Sequence, residues 1–134
     1  LGAWAGREAE ARAEWRERIV GLARRPNVFV KLGGLGMDVS WPIPDRTGST
    51  PSEILAGKWR PLIETCIEAF TPGRCMFESN FPPDSASGSY GATWNAFKII
   101  AQGCSEEEQD LLFRRTAAAV YRIGLDDSPL PQQP

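Results

Sequence analysis

Residues 74–84 read R-C-M-F-E-S-N-F-P-P-D, from Arg74 to Asp84, and the reading of this stretch decides the fold. It opens as a short apolar strand over Arg74 to Glu78. It then breaks into a run whose side chains do more than pack: Glu78, Ser79, Asn80 and Asp84 offer oxygens or an amide. Proline fixes its own φ and restricts the residue before it, so Phe81-Pro82-Pro83 is expected to hold one extended path. A strand that ends in a stiff polar loop is where α/β proteins place their chemistry. The loop is therefore expected to be one part of an active site.

Working outward, Asn27 to Leu32 (N-V-F-V-K-L) reads as a second strand, near-continuously apolar as in a parallel sheet covered on both faces. Lys31 interrupts it near its carboxyl end, and Gly33-Gly34-Leu35-Gly36 gives a tight exit. Between the strands, Ser52 is expected to cap a short turn reaching Gly57. A helix follows from about Lys58 to Phe70, with a stripe of Trp59, Leu62, Ile63, Cys66, Ile67 and Phe70 and with Pro61 in its first turn. The result is a βαβ unit, whose strands should be parallel with a right-handed crossover. Two such strands do not make a stable sheet alone, so a larger sheet, a barrel, is expected around them.

The flanks read as helices. Residues 4–24 place Trp4, Ala11, Trp15, Ile19 and Leu22 on one face. Ser89 caps a helix over Tyr90 to Gln102, and Ser105 with Glu108 forms a capping box for one reaching Arg114. Thr116 to Ile123 is the last helix, with Gly124 as its cap. The acidic run Glu106 to Glu108 complements a helix dipole rather than a metal. Residues 37–51 form a long loop, read as a lid or pocket wall because Met37, Val39, Trp41 and Ile43 make it apolar.

Composition narrows the function classes. Net charge is −2 with no basic run, which argues against a nucleic-acid partner. No apolar run approaches the roughly 18 residues of a membrane span, so no membrane association is expected. Three cysteines without CxxC spacing point away from a disulfide framework and toward a cytoplasmic, reducing setting. Cys66 and Cys75 read as core. The chain has no histidine, so a Ser-His-Asp triad, a His-rich zinc site and an HExxH helix are all excluded for these residues alone. A first residue of Leu1 rather than Met is read as the mark of a partial or processed chain.

Four motifs in this order carry a resemblance: P-N-V-F-V-K-L-G-G-L-G-M (Pro26 to Met37), the Arg74 to Asp84 stretch, W-N-A-F-K (Trp94 to Lys98) and T-A-A-A-V-Y-R (Thr116 to Arg122). Together they resemble the C-terminal part of the amidohydrolase-related family of metal-dependent TIM-barrel hydrolases and decarboxylases. The resemblance implies an α/β fold: the C-terminal portion of a (β/α)8 barrel, two parallel strands with covering helices. Residues 1–124 are assigned to it and 125–134 to a flexible tail. Asn27 to Leu32 would be about the seventh strand and Arg74 to Glu78 the eighth, in a barrel of about 250 residues.

The implied function is hydrolysis of a small carboxylate or lactone, incomplete in this chain. The alternative is an inactive barrel fragment or an association module. A divalent metal, zinc, would be held in a longer parent by histidines on earlier strands, and none is expected for this chain alone. Where the family carries an aspartate after its last strand, this chain has Asn80, which can coordinate a metal or orient water but cannot act as base. Asp84 is the candidate base, with loop capping as its equal alternative. Lys31, Met37, Trp41 and Glu78 would line the substrate pocket. The implied partners are a small-molecule substrate and the N-terminal barrel half. The isolated chain is expected to fold poorly or to self-associate as a homo-oligomer.

Overall fold

The computed structural model describes residues 7–37 and 48–125. Trp4, Trp41 and the expected tail beyond Leu125 lie outside the described residues. In order, the chain forms helix α1 (Glu8–Ala23), strand β1 (Val30–Leu32), helix α2 (Ser52–Phe70), strand β2 (Cys75–Phe77) and helix α3 (Tyr90–Ala101). A last helical rod consists of α4 (Glu106–Asp110), a π-helical turn (Leu111–Arg115) and α5 (Thr116–Tyr121). The two strands are parallel, with Val30 opposite Cys75, Lys31 opposite Met76 and Leu32 opposite Phe77. They pair only with each other among the described residues. This is the mixed α/β arrangement expected, but both strands are shorter. A turn closed by the Val28 N–H to the Arg25 carbonyl occupies the start of the first, and a 3-10 turn (Pro72–Arg74) occupies the start of the second.

Alternation along the strands separates two faces. Leu32, Cys75 and Phe77 join the core with α2 and α3, and Val30 packs against it. Lys31, between them, stays exposed. The core is built on Phe70, Phe97, Ile63, Leu112 and Cys75, all fully buried. Burial pushes the Cys66 thiol up to about 11 and that of Cys75 up to about 12, which leaves both as inert apolar groups at neutral pH.

Ring contacts run through this core and out of it. Phe77 stacks on Phe97 at 4.6 Å, Phe97 meets Trp59 and Trp94 at 5.7 Å, and Trp94 leads to Tyr90 at 6.1 Å. Tyr90 then meets Phe81 edge-on at 5.3 Å. The polar loop after β2 is thus joined to the deepest packing in the molecule.

Several local expectations are corrected. α2 is a single helix that starts at Ser52, so Ser52 is not its cap and Pro61 lies in its interior. An interior proline costs about 3 kcal/mol. Burial on both sides of it, by Leu55, Ala56 and Trp59 before and by Leu62, Ile63, Cys66 and Phe70 after, outweighs that cost. Leu22 is 47% exposed rather than packed. The final helices form one rod, because the capping box at Ser105 starts it as expected and the π turn carries it on to Thr116. Its end is set by Arg122 in the left-handed region and by the Ile123 N–H on the Ala118 carbonyl, not by Gly124.

Arg74 ties the layers together on the side away from the polar loop. Its guanidinium donates to the carbonyls of Phe70 (3.1 Å), Arg25 (2.9 Å), Val28 (3.4 Å) and Ala23 (2.9 Å). Those of Phe70, Val28 and Ala23 lie where a helix end and a turn leave carbonyls short of partners, while that of Arg25 also accepts the Val28 N–H.

Candidate active site

The carboxyl ends of β1 and β2 bring the expected site residues together from 47 residues apart. Lys31 and Glu78 form an ion pair there. The hydrogen bond to Glu78 holds the Lys31 ammonium above its ordinary value, against a smaller lowering by burial. The pair is part-exposed, so its contribution to stability is small. Gly33 permits the approach: a Cβ on it would lie 2.3 Å from Glu78 Cγ and 2.4 Å from the Glu78 carbonyl oxygen. The second of these is backbone and has little room to move. Gly33→Ala is accordingly expected to cost about 1–3 kcal/mol and to part Lys31 from Glu78. Denaturant unfolding checks the first effect, and an unchanged midpoint would mean that the two strand ends are not this close.

The loop after β2 does not run extended. Pro82 sits at φ −83°, ψ −8°, and Pro83–Ala86 coil into a 3-10 turn. The cause is backbone pairing: the Asp84 N–H reaches the Asn80 carbonyl at 3.1 Å, and the Ser85 N–H reaches that of Pro82 at 2.9 Å. The coil folds Asp84 back under Asn80. Asn80 Nδ2 donates to Asp84 Oδ1 at 2.8 Å, and the Gly36 N–H donates to Asp84 Oδ2 at 3.2 Å. Asp84 is 2% exposed, so both carboxylate oxygens spend themselves on the two strand-end loops. To act as a base it would have to release one of them. Met37 lies beside the same loop, with its methyl 3.8 Å from where a Cβ on Gly34 would stand. Trp41 falls outside the described residues. Sequence reasoning missed Gly33 and Gly36 as site residues. Their signal was the glycine cluster at a strand exit, which marks close backbone approach.

Burial raises the Asp84 carboxyl above its ordinary value of 3.8, more than its hydrogen bonds from Asn80 and Gly36 lower it. The folded state then holds the proton more tightly than the unfolded one. The contribution of this group to stability falls as pH rises from 3.8 through the raised value, and is level above it. Urea unfolding of the protein and of D84N across acidic pH should show the gap between them shifting against the protein over that window. A flat gap would remove burial as the governing cause.

A metal site needs several ligands in one place. Among the described residues no group of three or more histidine, cysteine, aspartate or glutamate side chains stands close enough to hold one. Asn80 supplies a single amide oxygen. The described residues therefore do not make a metal site by themselves.

Comparisons with known proteins bear on the family of the chain. A family model described as Amidohydrolase matches residues 2–123. The chain is 43% identical over 109 residues to an uncharacterized protein, y4mH, of Sinorhizobium fredii. It is 30% identical over 118 residues to L-fucono-1,5-lactonase of Burkholderia multivorans. These matches cover 81% and 87% of this chain but 33% and 38% of the relatives. Two crystal structures of an amidohydrolase from Burkholderia multivorans superpose at 28% identity. One, with zinc bound, has a TM-score of 0.71 over 84% of this chain and 38% of that one. The other, with HEPES bound, has a TM-score of 0.76 over 91% and 41%. The chain thus spans about a third to two-fifths of the proteins it matches.

Proposed function

The chain belongs to the amidohydrolase family, and on that footing we propose that it is the last two β/α units of a barrel enzyme that hydrolyses a lactone. The observation that carries the reading is the meeting of Lys31, Glu78, Asn80 and Asp84 at the carboxyl ends of two parallel strands. That is the end at which barrels hold substrate. The 30% identity to a lactonase supports the choice of bond. The two open strand edges fit pairing with the remaining strands of the ring, and the free thiols of Cys66, Cys75 and Cys104 fit a cytoplasmic location.

In this reading water adds to the lactone carbonyl carbon, the ring C–O bond breaks, and the hydroxy acid leaves as its carboxylate with one proton released. Asn80 touches the attacking water or a substrate hydroxyl. Lys31, held by Glu78, faces the carboxylate that forms, and Met37 gives an apolar wall. The base and any divalent metal would come from residues outside this chain. Asp84 serves the loop rather than the proton.

The test is acid release by the full-length protein from a panel of sugar lactones and small carboxylate esters, with and without a chelator. Expected is lactone opening well above background, lowered at least tenfold by N80A. Loss of activity with chelator would place a metal in the site. No opening of any lactone would overturn the reading in favour of a non-catalytic barrel.

A further inference from the structure

The Asn80–Asp84 contact fixes more than a loop. An ionised carboxylate only accepts hydrogen bonds, while an amide side chain has one donating and one accepting end. With Asp84 Oδ1 2.8 Å away, Asn80 must turn its NH2 group toward Asp84 and its Oδ1 away. No hydrogen bond to Asn80 Oδ1 is present among the described residues. Asp84 has no freedom to let the amide turn over. Its Oδ2 is taken by the Gly36 N–H, and its carbonyl accepts from Ser87 Oγ at 3.0 Å. A Cβ on Gly36 would lie 2.9 Å from both Cβ and Cγ of Asp84, so the side chain is packed as well as bonded.

We propose that Asp84 is a positioning residue that locks Asn80 as a one-sided acceptor, so that the strand-end site takes a group that donates a hydrogen bond, a water or a sugar-type hydroxyl, and not an oxyanion. The reaction this serves rests on the lactonase reading above, while the lock itself does not. It narrows the substrate to a lactone that carries hydroxyl groups near the scissile carbonyl, or it sets the orientation of the attacking water.

Substitution at these two positions separates positioning from mere support. In D84N the new amide at position 84 must give its oxygen to the Gly36 N–H, so its NH2 faces Asn80. Asn80 must then turn over and present its own NH2 outward. The hydrogen bonds to Asn80 and to the Gly36 N–H both survive, yet the polarity of the site is reversed. N80D alone sets two carboxylates against each other. The double exchange N80D/D84N restores the pattern: the amide at 84 donates to the carboxylate at 80, and an accepting oxygen faces outward again.

The experiment is kinetics on the full-length protein and its three variants, with their melting temperatures, together with hydrogen exchange of the Asn80 side-chain amide read by 15N NMR. Expected is a kcat for D84N lowered about 10–100-fold at a melting temperature close to that of the parent. The double exchange should recover at least tenfold over N80D. The Asn80 amide proton should be protected in the parent and exposed in D84N. If D84N keeps its kcat, or if the double exchange is no better than N80D while folded, the lock is not functional and the proposal falls. If no lactone is opened by the parent, the functional reading fails by itself and the exchange data decide the lock. Protection lost in D84N upholds it, and equal exchange in both overturns it.

Discussion

Phe97→Ala is expected to cost about 3–5 kcal/mol, a large part of the 5–15 kcal/mol that holds a domain of this size together. Phe97 is 1% exposed and touches three other rings, those of Trp59, Phe77 and Trp94. Its removal leaves a ring-sized void in a core where Ile63 of α2 and Ile100 of α3 are themselves fully or nearly buried. The loss should also loosen β2, since Phe77 lies stacked on the missing ring. Tyr90→Ala is the control: its ring is 55% exposed, and its cost should be a fraction of the first. Denaturant midpoints measure both. A cost for Phe97→Ala below about 1 kcal/mol would mean that the aromatic layer is not the centre of the core.

The second large effect belongs to Arg74→Met, expected to lose about 2–4 kcal/mol. The methionine keeps the apolar stem over the Phe70 ring, where the guanidinium carbon now stands 5.1 Å from the centroid, and removes only the donors. The carbonyls of Ala23, Val28 and Phe70 are then left to find water, while that of Arg25 keeps the Val28 N–H. Arg74→Lys should recover less than half of the loss, because an ammonium is a point and cannot span carbonyls that lie in different directions. Full recovery by lysine would show that charge alone, and not the fork, holds the three segments.

The sequence carried much of this architecture where the signal was local. The stripe from Trp59 to Phe70 was legible because every third or fourth side chain repeats, and the structure buries most of it. Ser89 and Ser105 were legible as caps because the partner lies three residues on. The parallel pairing of β1 and β2 followed from the helix between them, whereas the ion pair of Lys31 with Glu78 across their ends did not. What stayed hidden depends on long-range contact. Nothing near Arg74 announces that its donors reach back 46–51 residues, and nothing near Gly36 names Asp84 as its acceptor. The Pro82-Pro83 pair was misread because two prolines look extended in isolation. The backbone bonds that coil them come from residues on either side. Pro61 was placed in a first turn because local propensity was weighed without the burial that overrides it.

The line of rings from Phe97 through Trp94 and Tyr90 to Phe81 also gives the molecule an optical signal. Trp94 Nε1 is shut away from water and makes no hydrogen bond, so its indole should fluoresce toward the blue. Any movement of the loop that lifts Phe81 from Tyr90 would admit solvent along that line and shift the emission red. With the other four tryptophans replaced by phenylalanine, occupancy of the strand-end loop can thus be followed by light, without a label and without knowing what the occupant is.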